Sequence, residues 1–237
     1  MIVATMNGKE VLDVMKRDSD RVIAWAVHRE KELFRELRKS RREIIAKSYD
    51  YHTDNADYII ILKCNKNGYV SRLRFAFIKE TLEYVVLGTA NGIRGMISYS
   101  VHLLKRYAER VLHDKSMPIH KVLLKFSFED ASVCIYNDNT FFVVAKEKGI
   151  CLGEYDSRRD IIINKTFVSF DLLKETQFQA WNKISDYITK VQKLRLKHGL
   201  YSSLFQSKLG EIQNEVLLSV KDVQAIYGSY YKELYET

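Results

Sequence analysis

The segment from Tyr99 to His113, YSVHLLKRYAERVLH, concentrates the side chains best suited to chemistry. At 100° per residue, a helix over this segment gathers Val101, Leu104, Ala108, Val111 and Leu112 on one side. His102, Arg106, Glu109, Arg110 and His113 gather on the other. His102, Arg106 and Arg110, spaced i, i+4, i+8, form one row. An imidazole takes up and returns a proton near neutral pH. Two guanidinium groups beside it can hold a phosphate and offset the charge that builds in a transition state. That set is sufficient for metal-independent RNA cleavage. A base removes the 2′-hydroxyl proton, the oxygen attacks the adjacent phosphorus, and an acid protonates the departing 5′-oxygen. Glu109 and His113, at i and i+4, are candidates for a second acid or base. The competing reading is a solvated helix face on which Glu109 pairs with Lys105, Arg106 or His113. His102 and His113 would lie about 16 Å apart along a helix, too far to share an ion. No metal is assigned.

Two further stretches carry candidate contacts. Arg35, Arg38, Lys39, Arg41 and Arg42 fall within eight residues and would meet phosphates as long cationic side chains on a rigid rod. The competing reading is again a solvated face. In Tyr69 to Ile78 the residues alternate, with Tyr69, Leu73, Phe75 and Phe77 on one face and Arg72 and Arg74 on the other, where Arg94 is also expected. In Ile161 to Phe170, alternation puts Ile162, Asn164, Thr166 and Val168 on one side and Ile161, Ile163, Lys165 and Phe167 on the other. Asn164 and Thr166 are then candidates to touch a phosphate, or ordinary polar strand residues.

Familiar cradles are absent from the sequence. It has no GxxxxGK[ST] loop, no GxGxxG opening a helix, no HExxH, no calcium-loop motif and no GxSxG elbow. No cofactor is assigned. Cys64, Cys134 and Cys151 form no CxxC pair and no zinc spacing, which fits reduced thiols in a cytoplasmic protein.

The run SxHLLKRYAERV, followed downstream by GICLGEYD and KTFVSFDLLKETQ, resembles an uncharacterised bacterial protein family. The residues that carry it are His102, Arg106, Tyr107, Arg110, Gly149, Leu152, Gly153, Thr166, Phe167, Ser169 and Gln177, between Ser98 and Gln177. This resemblance implies no activity. In the order of its elements, a helix bearing His and Arg and then a meander ending in a Thr/Ser-bearing strand, the chain is also similar to the barnase, colicin and RelE-like ribonuclease toxins. In those proteins His, Arg and Ser/Thr side chains line the RNA cleft. The resemblance implies that His102, Arg106, Arg110 and Thr166 line a site here. The chain departs from the pattern in a strand group before the helix and long helices after the sheet.

The elements that must position these residues follow from periodicity and turn chemistry. Residues 8 to 17 read as a short helix. Asp18 or Ser19 then caps a longer one running to about Tyr49, with Val22, Ala26, Leu33, Leu37 and Ile44 as its apolar stripe. Tyr58–Cys64, Tyr69–Ile78, Thr81–Leu87 and Ile93–Ser98 read as four strands joined by tight turns at Asn65-Lys66-Asn67-Gly68 and Asn91-Gly92. Ser98 or Ser100 caps the His102 helix, and Pro118 separates it from a second apolar segment, Ile119–Phe128. A second meander of about four strands spans residues 132–170, turning at Asn137-Asp138-Asn139. After Asp171 the pattern is helical, with Tyr227, Tyr230, Tyr231 and Tyr235 at helical spacing. The expected fold is α+β: two antiparallel meanders, at about 57–98 and 132–170, around a central His/Arg helix, with long helices at both ends. One body spans 1–237, divided into a helical arm (1–56), a first meander (57–98), the His helix with the second meander (99–170) and C-terminal helices (171–237).

Composition bounds the partners. With 237 residues and 46% hydrophobic content, the chain can bury a sizeable core. A formal net charge of +8 favours an anionic partner, RNA or DNA first. No apolar run approaches the roughly 20 residues of a spanning helix, and charges come too early for a secretory signal, so no membrane partner is expected. Three functions remain open: an RNA-binding or RNA-cleaving protein, a non-catalytic nucleic-acid-binding module using Arg35, Arg38, Arg41, Arg42, Arg72 and Arg74, and a structural protein that self-associates through its terminal helices.

Overall fold

The computed structural model describes residues 1–90, 93–128, 133–137, 141–146 and 148–172, with isolated positions between 182 and 211. The helices expected after Asp171, the tyrosine row near the C-terminus and the Asn91-Gly92 turn lie outside the described residues, apart from those isolated positions.

Asn7 opens α1 (Gly8–Arg17) as a capping box: its side chain accepts from the Glu10 N–H and its own N–H donates to the Glu10 carboxylate, at 3.0 and 2.8 Å. Asp18 precedes α2 (Ser19–Lys39) but does not cap it with its side chain. Its carboxylate turns inward and accepts from Thr53 Oγ1, Asn55 Nδ2 and Tyr58 Oη at 2.7, 2.6 and 2.7 Å. Burial opposes ionisation, but these three donors and the charge of Arg21 outweigh it and hold the Asp18 carboxyl below the usual carboxylate range.

The second helix ends at Lys39, ten residues before the expected Tyr49. Arg38 and Lys39 sit in its last turn, where cations complement the carbonyl end of the dipole. Ser40 is extended, and its hydroxyl donates to Leu37 O at 3.0 Å. Residues 44–52 form a strand instead, β1 (Ile44–His52), rich in β-branched and aromatic side chains. Ile44, assigned to the helix stripe, is an exposed strand residue, while its neighbour Ile45 is buried. Residues 1–56 are therefore not a helical arm. Their helices pack on the sheet and their last segment belongs to it.

Four strands follow as expected: β2 (Asp57–Asn65), β3 (Val70–Ile78), β4 (Glu83–Ala90) and β5 (Ile93–Ser100). Gly68 supplies the positive φ, +84°, that the β2–β3 turn requires. Next come α3 (Val101–Arg110) and α4 (Ile119–Phe128), then β6 (Val133–Asn137), β7 (Phe141–Lys146), β8 (Gly149–Asp156) and β9 (Ile161–Ser169). All nine strands form one sheet in the order β1-β2-β3-β4-β5-β9-β8-β7-β6. Every pairing is antiparallel except β5 with β9, which joins the two meanders in parallel from Met96↔Ile161 to Tyr99↔Asn164.

Helices cover both faces, which explains the continuous apolar run in β2. Tyr58, Ile60, Leu62 and Cys64 pack with α1 and α2, through residues such as Val11, Met15, Leu33 and Leu37. Ile59 and Ile61 pack with α3 and α4, through Leu104, Tyr107, Val122 and Phe126. Cys64 and Cys151 are buried on opposite faces of the sheet and form no disulfide with each other. Lys47 of β1 pairs with Glu36 of α2 at 2.5 Å, and Asp50 of β1 lies 3.4 Å from His120 of α4. No helix among the described residues is long and apolar enough to cross a membrane.

The expected alternation in β9 is interrupted by a bulge. Leu152 pairs with Thr166 and Gly153 with Asn164, so Lys165 is the extra residue. Ile161 and Ile163 face α1 and α2, but beyond the bulge Phe167 faces α3. A Cβ on Gly153 would stand 2.1 Å from Ile163 O and 3.0 Å from Asn164 Cα. Glycine allows the two backbones to approach this closely.

Candidate nucleic-acid interface

Ser100 positions the His102 helix. Its hydroxyl accepts from the Leu103 N–H at 3.0 Å and donates to Lys165 O at 2.6 Å, so one side chain caps α3 and ties it to β9. Leu103, Leu104, Tyr107 and Ala108 form the buried face. Tyr107 meets Phe126 and Phe167 edge-on, with ring centroids 5.1 and 5.3 Å apart.

His102 is exposed on the opposite side, with Arg106 and Arg110 half-buried beside it. Partial desolvation, then the charges of Arg106, Arg110 and Lys105, push the His102 pKa below its ordinary value. The shift favours the neutral imidazole and makes it a weaker base than a free histidine. The two arginines have internal partners. Arg110 Nη1 donates to Phe167 O, and Arg106 Nη1 donates to the Glu109 carboxylate at 3.1 Å. Glu109 also meets Lys115 at 2.7 Å, and these contacts hold its carboxyl below the usual range. The expected Glu109–His113 pair does not form on the helix, because α3 ends at Arg110 and His113 sits in the following turn with φ +53°.

Thr166 is not brought to this face. It neighbours Phe167, which packs under α3, so Thr166 points to the other side of the sheet. It is buried, and its hydroxyl has no hydrogen-bond partner among the described residues. Asn164 is also buried and donates to Ser98 O at 3.1 Å. The bulge is the physical reason that Asn164 and Thr166 do not share one face.

Arg72 and Arg74 lie on the side of β3 that faces α2, Arg72 exposed and Arg74 half-buried. Arg72 forms a two-pronged pair with the buried Glu30 of α2, through Nε to Oε1 and through Nη2 to Oε2 at 2.8 Å. Arg74 Nη2 donates to Ser19 Oγ at 3.3 Å, and its guanidinium carbon stands 5.5 Å over the Tyr58 ring. The side chain of Arg94 lies outside the described residues.

Arg35, Arg38, Arg41 and Arg42 are all exposed, as is Lys39. None of the five forms an ion pair within 4 Å among the described residues, because the nearby carboxylates serve other cations. Glu32 pairs with Arg29, Glu36 with Lys47, and Glu43 with Lys66. The buried stripe Val22, Ala26, Leu33 and Leu37 fixes the helix on the sheet and aims Arg35, Arg38 and Lys39 outward. Arg41 and Arg42 extend the patch into the connection to β1. No group of three His, Cys, Asp or Glu side chains among the described residues is arranged to hold a metal ion. No protein-family model, curated protein or solved structure matches this chain.

Proposed function

We propose that this protein binds nucleic acid, RNA foremost, through the phosphate backbone, with Arg35, Arg38, Arg41 and Arg42 as its principal contacts. The observation that carries this reading is the exposed cluster at the end of α2, which forms no ion pair within 4 Å among the described residues, in a chain of net charge +8. Such a patch tracks phosphates without reading bases. Fluorescence anisotropy with a single-stranded RNA of mixed sequence, repeated between about 50 and 200 mM salt, tests it. Affinity falls steeply and linearly on a log–log plot, at about 0.7 per phosphate contacted. Binding that is absent or independent of salt rejects the proposal.

A second reading, RNA cleavage at His102, is favoured by one observation: an exposed imidazole beside two half-buried guanidinium groups, Arg106 and Arg110, on one helix. His102 would take the 2′-hydroxyl proton as that oxygen bonds to phosphorus and the bond from phosphorus to the 5′-oxygen breaks, water would protonate the departing 5′-oxygen, and Arg106 would have to exchange Glu109 for the phosphate. Thr166 takes no part. Cleavage of total RNA in EDTA that disappears in His102→Ala is the expected result. No cleavage, or equal cleavage by both proteins, removes this reading and leaves the binding proposal standing.

A further inference from the structure

The sheet splits where β3 and β4 diverge. The two strands pair only from Ala76↔Val85 to Ile78↔Glu83. Beyond that point, Arg72 to Phe75 pair with β2 alone, and Val86 to Ala90 pair with β5 alone. A cleft of about 320 Å³ lies in the split, between β3, β4 and the first half of α2. Met15, Val22, Ala26 and Leu87 give it apolar walls. That volume sits at the lower end of the range for small-molecule sites, about 300–1,000 Å³.

Two cations enter this apolar space, and they differ. Arg72 is matched by Glu30. Arg74 has no carboxylate within 4 Å among the described residues; Ser19 Oγ and the face of Tyr58 are its described contacts. Asp18, the acid nearest in influence, is engaged by Thr53, Asn55 and Tyr58. A guanidinium offers five N–H donors, and Arg74 has a described acceptor for one of them. Burial disfavours its charge, while Tyr58 and Asp18 offset that only in part. A half-buried guanidinium with open donors at the wall of an apolar cleft is chemically complementary to an anion that carries a hydrocarbon tail.

We propose that the cleft binds a small amphipathic anion, its head on Arg74 and its short tail against Met15, Val22, Ala26 and Leu87. The shared chemistry is a single anionic group, carboxylate or phosphate monoester, on a chain of roughly eight carbons, sized for a pocket at the lower end of the usual range. The site lies at the opposite end of α2 from the basic cluster and does not depend on nucleic-acid binding.

Isothermal titration of the whole protein with octanoate, octyl phosphate and 1-octanol tests this. Saturable 1:1 binding of at least one anion, about tenfold or more tighter than the alcohol, is expected from one charge-assisted contact. Preference between the two anions identifies the head group. Arg74→Gln reduces anion binding to the level of the alcohol and leaves the alcohol unchanged. No saturable binding of either anion, alcohol binding as tight as the anions, or full anion affinity in Arg74→Gln overturns the proposal. If Arg74→Gln does not fold, the comparison of anion with alcohol on the native chain decides alone.

Discussion

Replacing Arg35, Arg38, Arg41 and Arg42 together by alanine should weaken RNA binding by on the order of 100-fold at low salt, and reduce its salt slope by about 3 for a single strand. Glu32, Glu36 and Glu43 are already engaged by Arg29, Lys47 and Lys66, so none of the four arginines holds an ion pair within 4 Å among the described residues, and their charge is left facing solvent. All four side chains are exposed and none anchors the fold, so thermal stability should stay close to that of the native chain. Lysine at the same four positions keeps the point charges and loses only the planar fork. The lysine variant should therefore retain most of the salt slope. An alanine variant with native affinity and native slope would place the contact surface elsewhere.

Gly153→Ala carries the largest expected effect on stability, a loss of about 3 kcal/mol. The added methyl would meet Ile163 O at 2.1 Å, and that atom belongs to a paired strand rather than to a side chain that can swing away. For a chain of this size the loss corresponds to a fall in Tm of about 6–12 °C. Gly95→Ala is the control, because a Cβ there meets nothing within 4 Å. Equal melting temperatures for the two variants would show that the bulge relaxes around a side chain.

Both meanders were legible because each strand carries its own pattern and each turn its own chemistry. The run Tyr58–Cys64 and the Asn65–Gly68 turn needed no knowledge of the rest of the chain. The apolar side of the His102 helix was also legible, although its buried face includes Leu103 and Tyr107 as well as Leu104 and Ala108. What escaped is what depends on partners distant in sequence. The apolar residue Ile44 falls in phase with the stripe of α2, so periodicity carried the helix through Ser40 into β1. The segment SYDYH, with its aromatic alternation, was the signal against it. The bulge at Lys165 is a property of the β8–β9 register, and no reading of β9 alone reveals that Asn164 and Thr166 diverge. Glu30 held a clue that periodicity overlooks. It is an acid in line with Val22, Ala26, Leu33 and Leu37, and a buried carboxylate needs a cation. That cation is Arg72, which ties the charged side of β3 to α2.

A sheet that is not closed into a barrel ends in strands with unpaired N–H and C=O groups, which another copy of the chain can extend. Among the described residues β1 is such a border, nine residues long and beginning Ile-Ile. Its polar contacts reach to both layers, Lys47 to Glu36 on one face and Asp50 toward His120 on the other. A strand added beside β1 would set its side chains next to these charges, and charged side chains on a border strand disfavour such pairing. The contacts that fasten the border strand to its helices therefore also oppose growth of the sheet from molecule to molecule, and they guard the chain against aggregation through this edge.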